Sequence, residues 1–184
     1  MRFPALLACT ALAVARDARA QDAWAHADTA IVRLPPSAFA TLPAEIRTDL
    51  DRRGCRIPQT TEDSKPHNVI SGDFRGQGAN GWAVLCSINR ISRVLVYEAR
   101  ATTAVDSVDV RPDKSYLQQG SGGRIVFSRM ITTVTPVRVQ RALARQKPNT
   151  LKASHDGIEI AFVDKASFIV YWTGKGWMEV SASD

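Results

Sequence analysis

Two apolar runs in the middle of the chain, Trp82–Ile88 and Ser92–Tyr97, carry apolar side chains on both of their alternating faces. In the first, Trp82, Val84 and Cys86 point one way and Ala83 and Leu85 the other; in the second, Val94 and Val96 oppose Leu95 and Tyr97. A strand wet on one face alternates apolar with polar residues, so this pattern predicts central strands covered on both sides. Asn89-Arg90 joins them as a tight turn. Upstream, His67–Phe74 reads as a further strand, separated from Trp82 by a polar, glycine-rich loop. Downstream, Asp106–Arg111 alternates with Val108 and Val110 inward and Asp109 and Arg111 outward, as a half-buried strand near a sheet edge does. The β-branched stretch Ile125–Thr135 predicts one long strand, and Ile158, Ile160 and Phe162 alternate in another. Phe168–Trp172 and Trp177–Val180 flank Thr173-Gly174-Lys175-Gly176 as a terminal hairpin, and Ile31–Leu34 forms a short strand stopped by Pro35-Pro36.

Two segments carry the helical period instead. Pro43 opens the first, Ile46 and Leu50 lie four apart on its apolar stripe, and Phe39 and Leu42 extend that stripe upstream. Arg47, Asp49, Asp51 and Arg52 fall on the wet side, and Gly54 is placed to take the left-handed conformation that ends a helix. Thr135-Pro136 opens the second, with Val139, Ala142 and Leu143 inward and an end near Gln146. Together these elements predict a single α+β domain over residues 35–184. Its largely antiparallel β-sheet has about six to eight strands and one or two covering helices, the Pro43 helix against one face.

The chain's first twenty residues read as a signal peptide: Arg2, an apolar run from Ala5 to Ala15, and a small-x-small site at Ala18-Arg19-Ala20. Leu6-Leu7-Ala8-Cys9 has the form of a lipobox, but the apolar run continues past Cys9, which favours cleavage after Ala20. Residues 21–34 then begin the mature chain as a flexible N-terminus. No other run approaches the length of a transmembrane helix. Losing Arg2, Arg16, Arg19 and Asp17 takes the formal net charge from +6 to +4, a mildly basic balance. Of three cysteines, Cys55 and Cys86 remain, and an even pair in an exported protein predicts a disulfide tying the helix end to the sheet. The expected location is periplasmic or secreted.

Gly72-Asp73-Phe74-Arg75-Gly76-Gln77-Gly78-Ala79-Asn80-Gly81-Trp82-Ala83-Val84 resembles the FG-GAP/VCBS-type repeat, in which a calcium loop joins two strands of a propeller blade. Gly72, Asp73, Phe74, Gly76, Gly78, Ala83 and Val84 match that repeat. Arg75, Gln77 and Gly81 stand where the family has aspartates, and calcium requires several carboxylates among its six to eight oxygens. The resemblance therefore implies a strand–loop–strand unit with an architectural role, in which Arg75 could pair with Asp73 in place of an ion. It occurs once, which argues against a propeller. LPPSAF, RGCRIPQ, NVISGDF, WAVLCS and the closing DKASFIVYW are also similar to small secreted bacterial proteins, a resemblance that implies export and no particular activity.

Candidate chemistry is sparse. Arg138, Arg141 and Arg145 recur on one face of the second helix, joined by Lys147 and Lys152, and form an anion-binding face or a solvated one. No aromatic residues interleave with them, so a specific nucleic-acid signal is missing. His67 and His155 could serve a small hydrolase with an acid and a serine, yet no G-x-S-x-G elbow accompanies them. Gly120–Gly123 lacks the Lys-Ser/Thr of a phosphate loop, and the cysteines lack histidines at zinc-ligand spacing. No cofactor or metal is expected. The residues favour a non-catalytic exported binding or structural protein whose partner is an envelope protein or an anionic ligand. Asp73, Arg75, Gln77 and Asn80 in the loop and the three arginines are its candidate contacts; the alternatives are the hydrolase and an inhibitor docking through loop 75–81.

Overall fold

The computed structural model describes residues 22–61, 63–146 and 151–182. The expected signal peptide, Cys9 and Lys147 lie outside the described residues. Two four-stranded antiparallel sheets dominate the rest. The first runs in sequence order through β3 (Val69–Gly72), β4 (Gly81–Ile88), β5 (Ile91–Tyr97) and β6 (Asp106–Pro112). The second contains β9 (Arg129–Val134), β10 (Gly157–Phe162), β11 (Ala166–Trp172) and β12 (Trp177–Ser181), also in order. Two short ribbons complete the β structure: β1 (Arg33–Leu34) with β2 (Ile57–Pro58), and β7 (Leu117–Gln119) with β8 (Ile125–Phe127).

The sheets pack face to face. Ala83, Leu85, Val94, Val96 and Val108 from the first meet Ile131, Ile158, Ile160 and Val170 from the second in one core. Each sheet carries a helix on its outer face. Helix α1 (Ala44–Arg52) lays Ile46 and Leu50 on Val84, Cys86, Leu95 and Tyr97. Helix α2 (Pro136–Arg145) lays Val139, Ala142 and Leu143 on Ile169, Tyr171 and Val180. The result is a four-layer helix–sheet–sheet–helix sandwich, and it explains why β4 and β5 read as apolar on both faces. The α+β class holds, with twelve strands among the described residues divided among four sheets where a single sheet of about six to eight was expected. Alternation within a strand shows that both faces are covered; it does not say whether a helix or another sheet covers them.

The end of α1 is held twice. Gly54 sits at φ +69°, its N–H donates to Asp51 O (2.9 Å) and the Cys55 N–H donates to Leu50 O (2.9 Å), the pair of bonds of a Schellman motif. Cys55 is then bonded to Cys86 of β4, with their Cα atoms 5.4 Å apart. Closing that loop contributes on the order of 3–4 kcal/mol through the entropy of the unfolded chain.

Four local expectations change. Asp49 does not face water. It is buried and accepts from Arg53 Nε (2.7 Å), from the Tyr97 hydroxyl (3.0 Å) and from Arg52. Asp109 and Val110 exchange places: opposite Ser92–Val94 the register shifts, so that these two residues face Arg93 alone, and Asp109 adopts φ +48°. This β-bulge rotates Asp109 inward, where Arg129 waits, and turns Val110 out to 48% exposure. Ile125–Thr135 breaks at the buried Ser128 into β8 and β9, so the second strand can enter a different sheet. Residues 22–30 are helical; Ala27 and Ile31 pack on the central core, and Asp28 pairs with Arg33 and Arg90.

Charges inside the sandwich come in bonded groups. Arg129 is fully buried, pairs with Asp109, and donates to Ser92 Oγ (2.6 Å) and Asp109 O (2.6 Å). Its guanidinium lies 4.6 Å from the centre of the Tyr116 ring, whose hydroxyl also donates to Asp109 (3.1 Å). Burial, with Asp109 beside it, pushes the Tyr116 hydroxyl up to about 12. Asp113, likewise fully buried, accepts both from Arg33 (Nε 3.0 Å, Nη2 2.7 Å) and from Ser87 Oγ (2.6 Å). Removing one partner of such a pair leaves the other charged and dry. Asp109→Ala should therefore lower the unfolding free energy by about 3–5 kcal/mol in denaturant titrations, well beyond a surface substitution.

The Asp49 carboxyl is raised by burial but lowered more by its donors Arg53, Arg52 and Tyr97, and the net shift is below the ordinary value of 3.8. A carboxyl whose folded pKa is depressed stabilises the fold above its unfolded pKa and loses that contribution as pH falls through the folded one. The stability difference between wild type and Asp49→Asn should accordingly be full at neutral pH and shrink below pH 3.8, as read from denaturant midpoints across pH.

Candidate functional site

Two sets of predicted contact residues fall in different places. The first is the loop between β3 and β4. Its Asp73 carboxylate turns back on the loop, accepting the Gln77 N–H at Oδ1 (2.9 Å) and the Gly78 N–H at Oδ2 (2.8 Å). Main-chain amides thus occupy the carboxylate oxygens that a calcium loop would aim at its ion. Phe74 is buried in the core between the sheets. Gly76, at φ +69°, lies so close to His155 that a Cβ there would stand 2.7 Å from the ring. Asp73 and Asp156 exchange two bonds: Asp73 N–H to Asp156 Oδ2 and Asp156 N–H to Asp73 O, both 3.1 Å.

Arg75 does not pair with Asp73, contrary to expectation, because that carboxylate is already taken by the loop amides. It reaches Asp106 and Glu98 (3.6 Å) and lays its guanidinium 3.8 Å from the centre of a Trp172 ring. The loop therefore spans from the first sheet to the β9–β12 sheet and fastens one to the other. Gln77 and Asn80 remain exposed at its tip. Sequence reasoning named Asp73 and Arg75, but their partners Asp156, Asp106 and Trp172 are too distant in the chain to be read from it.

The second set is on α2. Arg138, Arg141 and Arg145 project from one face and, with Ala142, Ile169 and Ala182, line a cavity of about 330 Å³. Lys152 is exposed beyond the helix end. Arg138 pairs with Glu159 of β10, a nearly buried carboxylate that also accepts from Ser167 Oγ (2.8 Å) and Thr132 Oγ1 (3.4 Å). On the sheet, Thr132 of β9 lies directly opposite Glu159 of β10, and Ser167 of β11 lies diagonally from it. They were missed in the sequence because a polar residue alternating outward from a strand looks the same whether water or a helix lies above it. None of the loop residues lines this cavity.

Both candidate histidines sit against the main chain. His67 accepts the Thr60 N–H at Nε2 (2.8 Å) and faces Lys65 O through Nδ1 (3.0 Å). His155 faces Asp156 O and Trp172 O, each at 3.0 Å, and stacks on Tyr171 with ring centroids 4.3 Å apart. Both His67 nitrogens are thus bonded to the main chain, and both His155 nitrogens face main-chain carbonyls, to one of which a neutral ring donates. Among the described residues no helix is long and apolar enough to cross a membrane. Comparison of the chain with family models, with curated proteins and with solved structures finds no match.

The loop's role as a fastener is measurable. Gly76 and Gly78 have nearly the same backbone conformation, φ +69° and +72°, but the space around Gly78 is open. Gly78→Ala should cost about 1–2 kcal/mol for the left-handed backbone alone. Gly76→Ala should cost clearly more, because its methyl also displaces His155. Equal losses in thermal or chemical unfolding would show that the loop does not press on His155.

Proposed function

We propose that this is an exported, non-catalytic binding protein of the periplasm or extracellular space that takes an anionic ligand in the arginine-lined cavity of α2. The observation that carries the reading is the convergence of Arg138, Arg141 and Arg145 on one concavity whose other walls, Ala142, Ile169 and Ala182, carry no side-chain charge. Guanidinium groups offer paired N–H donors that match phosphate, sulfate and carboxylate oxygens, and a low-dielectric wall strengthens each contact. The disulfide and the leader-like first twenty residues support export, since such bonds persist in oxidising compartments. The engagement of His67 and His155 with the main chain supports a binding role over a hydrolytic one.

Chromatography on heparin provides the test. The protein should be retained at low ionic strength and released at about 0.3 M salt, where screening shortens the reach of exposed charges. The Arg138→Glu/Arg141→Glu/Arg145→Glu variant should flow through while keeping its circular dichroism spectrum. Failure of the wild type to bind, or retention unchanged in the variant, would refute the anion site.

A second reading, docking of an envelope partner through loop 75–81, draws support from the exposed tip Gln77–Asn80 and its rigid seating by Asp73. It requires that Gln77→Ala/Asn80→Ala remove a protein recovered by wild-type bait from native envelopes while the heparin behaviour stays unchanged.

A further inference from the structure

A second cavity, of about 410 Å³, opens at the end of the sandwich where the β10–β11 hairpin faces the turn after β6. Its size is that of a small-molecule site. Ile160, Phe162 and Phe168 supply aliphatic and aromatic lining, and Tyr116 stands edge-on to Phe162 with ring centroids 5.5 Å apart. The Tyr116 hydroxyl donates to Asp109, so it is the ring that this residue offers to the cavity.

The rim is cationic. Arg111 lines the opening with its side chain 58% exposed. Arg111 donates through Nε to Asp109 (3.1 Å), but that carboxylate is shared with the fully buried Arg129. One negative charge thus faces two guanidiniums, and Arg111 is the one that meets solvent. Glu179 on β12, which is exposed, also lies close enough to act on Arg111 electrostatically.

We infer that this cavity is a binding site for a small apolar carboxylate, an alkyl or aryl acid whose hydrocarbon part enters between Ile160, Phe162, Phe168 and Tyr116 and whose anionic end meets Arg111. An uncharged hydrocarbon would leave the arginine unused, and a fully hydrophilic anion would leave the lining unfilled. This site stands apart from the α2 cavity and shares no lining residue with it.

Isothermal titration calorimetry of the full mature chain with octanoate and with octan-1-ol tests the inference. Octanoate should bind more tightly than the alcohol, with a negative heat-capacity change from burial of apolar surface. Ala166 lines the cavity at the start of β11 and is itself exposed, so Ala166→Trp fills the opening without entering the core and should abolish binding of both probes. Arg111→Gln should weaken octanoate by about fivefold to tenfold and leave octan-1-ol unchanged. Melting temperatures of both variants serve as the folding control. Absence of octanoate binding, binding that survives Ala166→Trp, or an equal effect of Arg111→Gln on the two probes would each overturn the inference.

Discussion

A guanidinium with no access to water governs how the two sheets of this protein meet. Arg129 begins β9 in the second sheet, yet every partner of its side chain lies elsewhere: Asp109 and Ser92 on the first sheet, Tyr116 in the turn after it. A buried charge of this kind needs its counter-charge close by, and both terminal nitrogens of Arg129 are bonded across the interface, so it constrains the separation and offset of the sheets near one end of the sandwich. Nearby, the buried Asn68 donates to Pro58 O (2.7 Å) and Arg129 O (3.1 Å) and accepts the Ile131 N–H (2.9 Å), joining the start of β3 to β9 by the same logic. The apolar core supplies most of the driving force for stacking the sheets, but it is non-directional. These polar bonds choose among the ways of stacking them.

At the other side of the same interface the loop after β3 does comparable work with weaker contacts. Asp73 holds the loop's shape through two amides, and Arg75 carries it across to Trp172 of β11. The outer helices have a different job: they cover the faces of β4, β5 and β11 that would otherwise be wet, and α1 is fastened covalently through Cys55 and Cys86. Because all of these devices are structural, the polar groups they leave over are peripheral. The arginines of α2 and Arg111 sit on the outside of this frame.

The bulge at Asp109 shows how one residue can answer to two neighbours at once. Turning this carboxylate inward satisfies Arg129, and in doing so it presents Arg111 beside an apolar opening. Nothing about Asp109 in an alternating segment announces this, because alternation assumes an unbroken register, and one extra residue reverses every side chain beyond it.

What the sequence determined by itself was local. The helix starting after Pro43 and ending at Gly54, the helix after Thr135, the both-faces-buried β4 and β5, the Asn89-Arg90 turn with φ +51° and +61°, and the terminal hairpin all follow from short-range sterics and apolar period. The Cys55–Cys86 link was legible because its two members are the only cysteines that the expected leader does not contain. The arginine stripe on α2 could be read as a stripe, though not as the wall of a cavity. Tertiary structure alone decided that there are two sheets and not one, that Asp49 and Asp109 are interior, that Arg75 pairs with Asp106, and that Tyr116 and Phe162 frame an opening. Each of these depends on which distant segment approaches, and burial reverses the meaning of a charged residue: on a solvated strand it is an outward face, and in a dry interface it is a bond that sets the architecture.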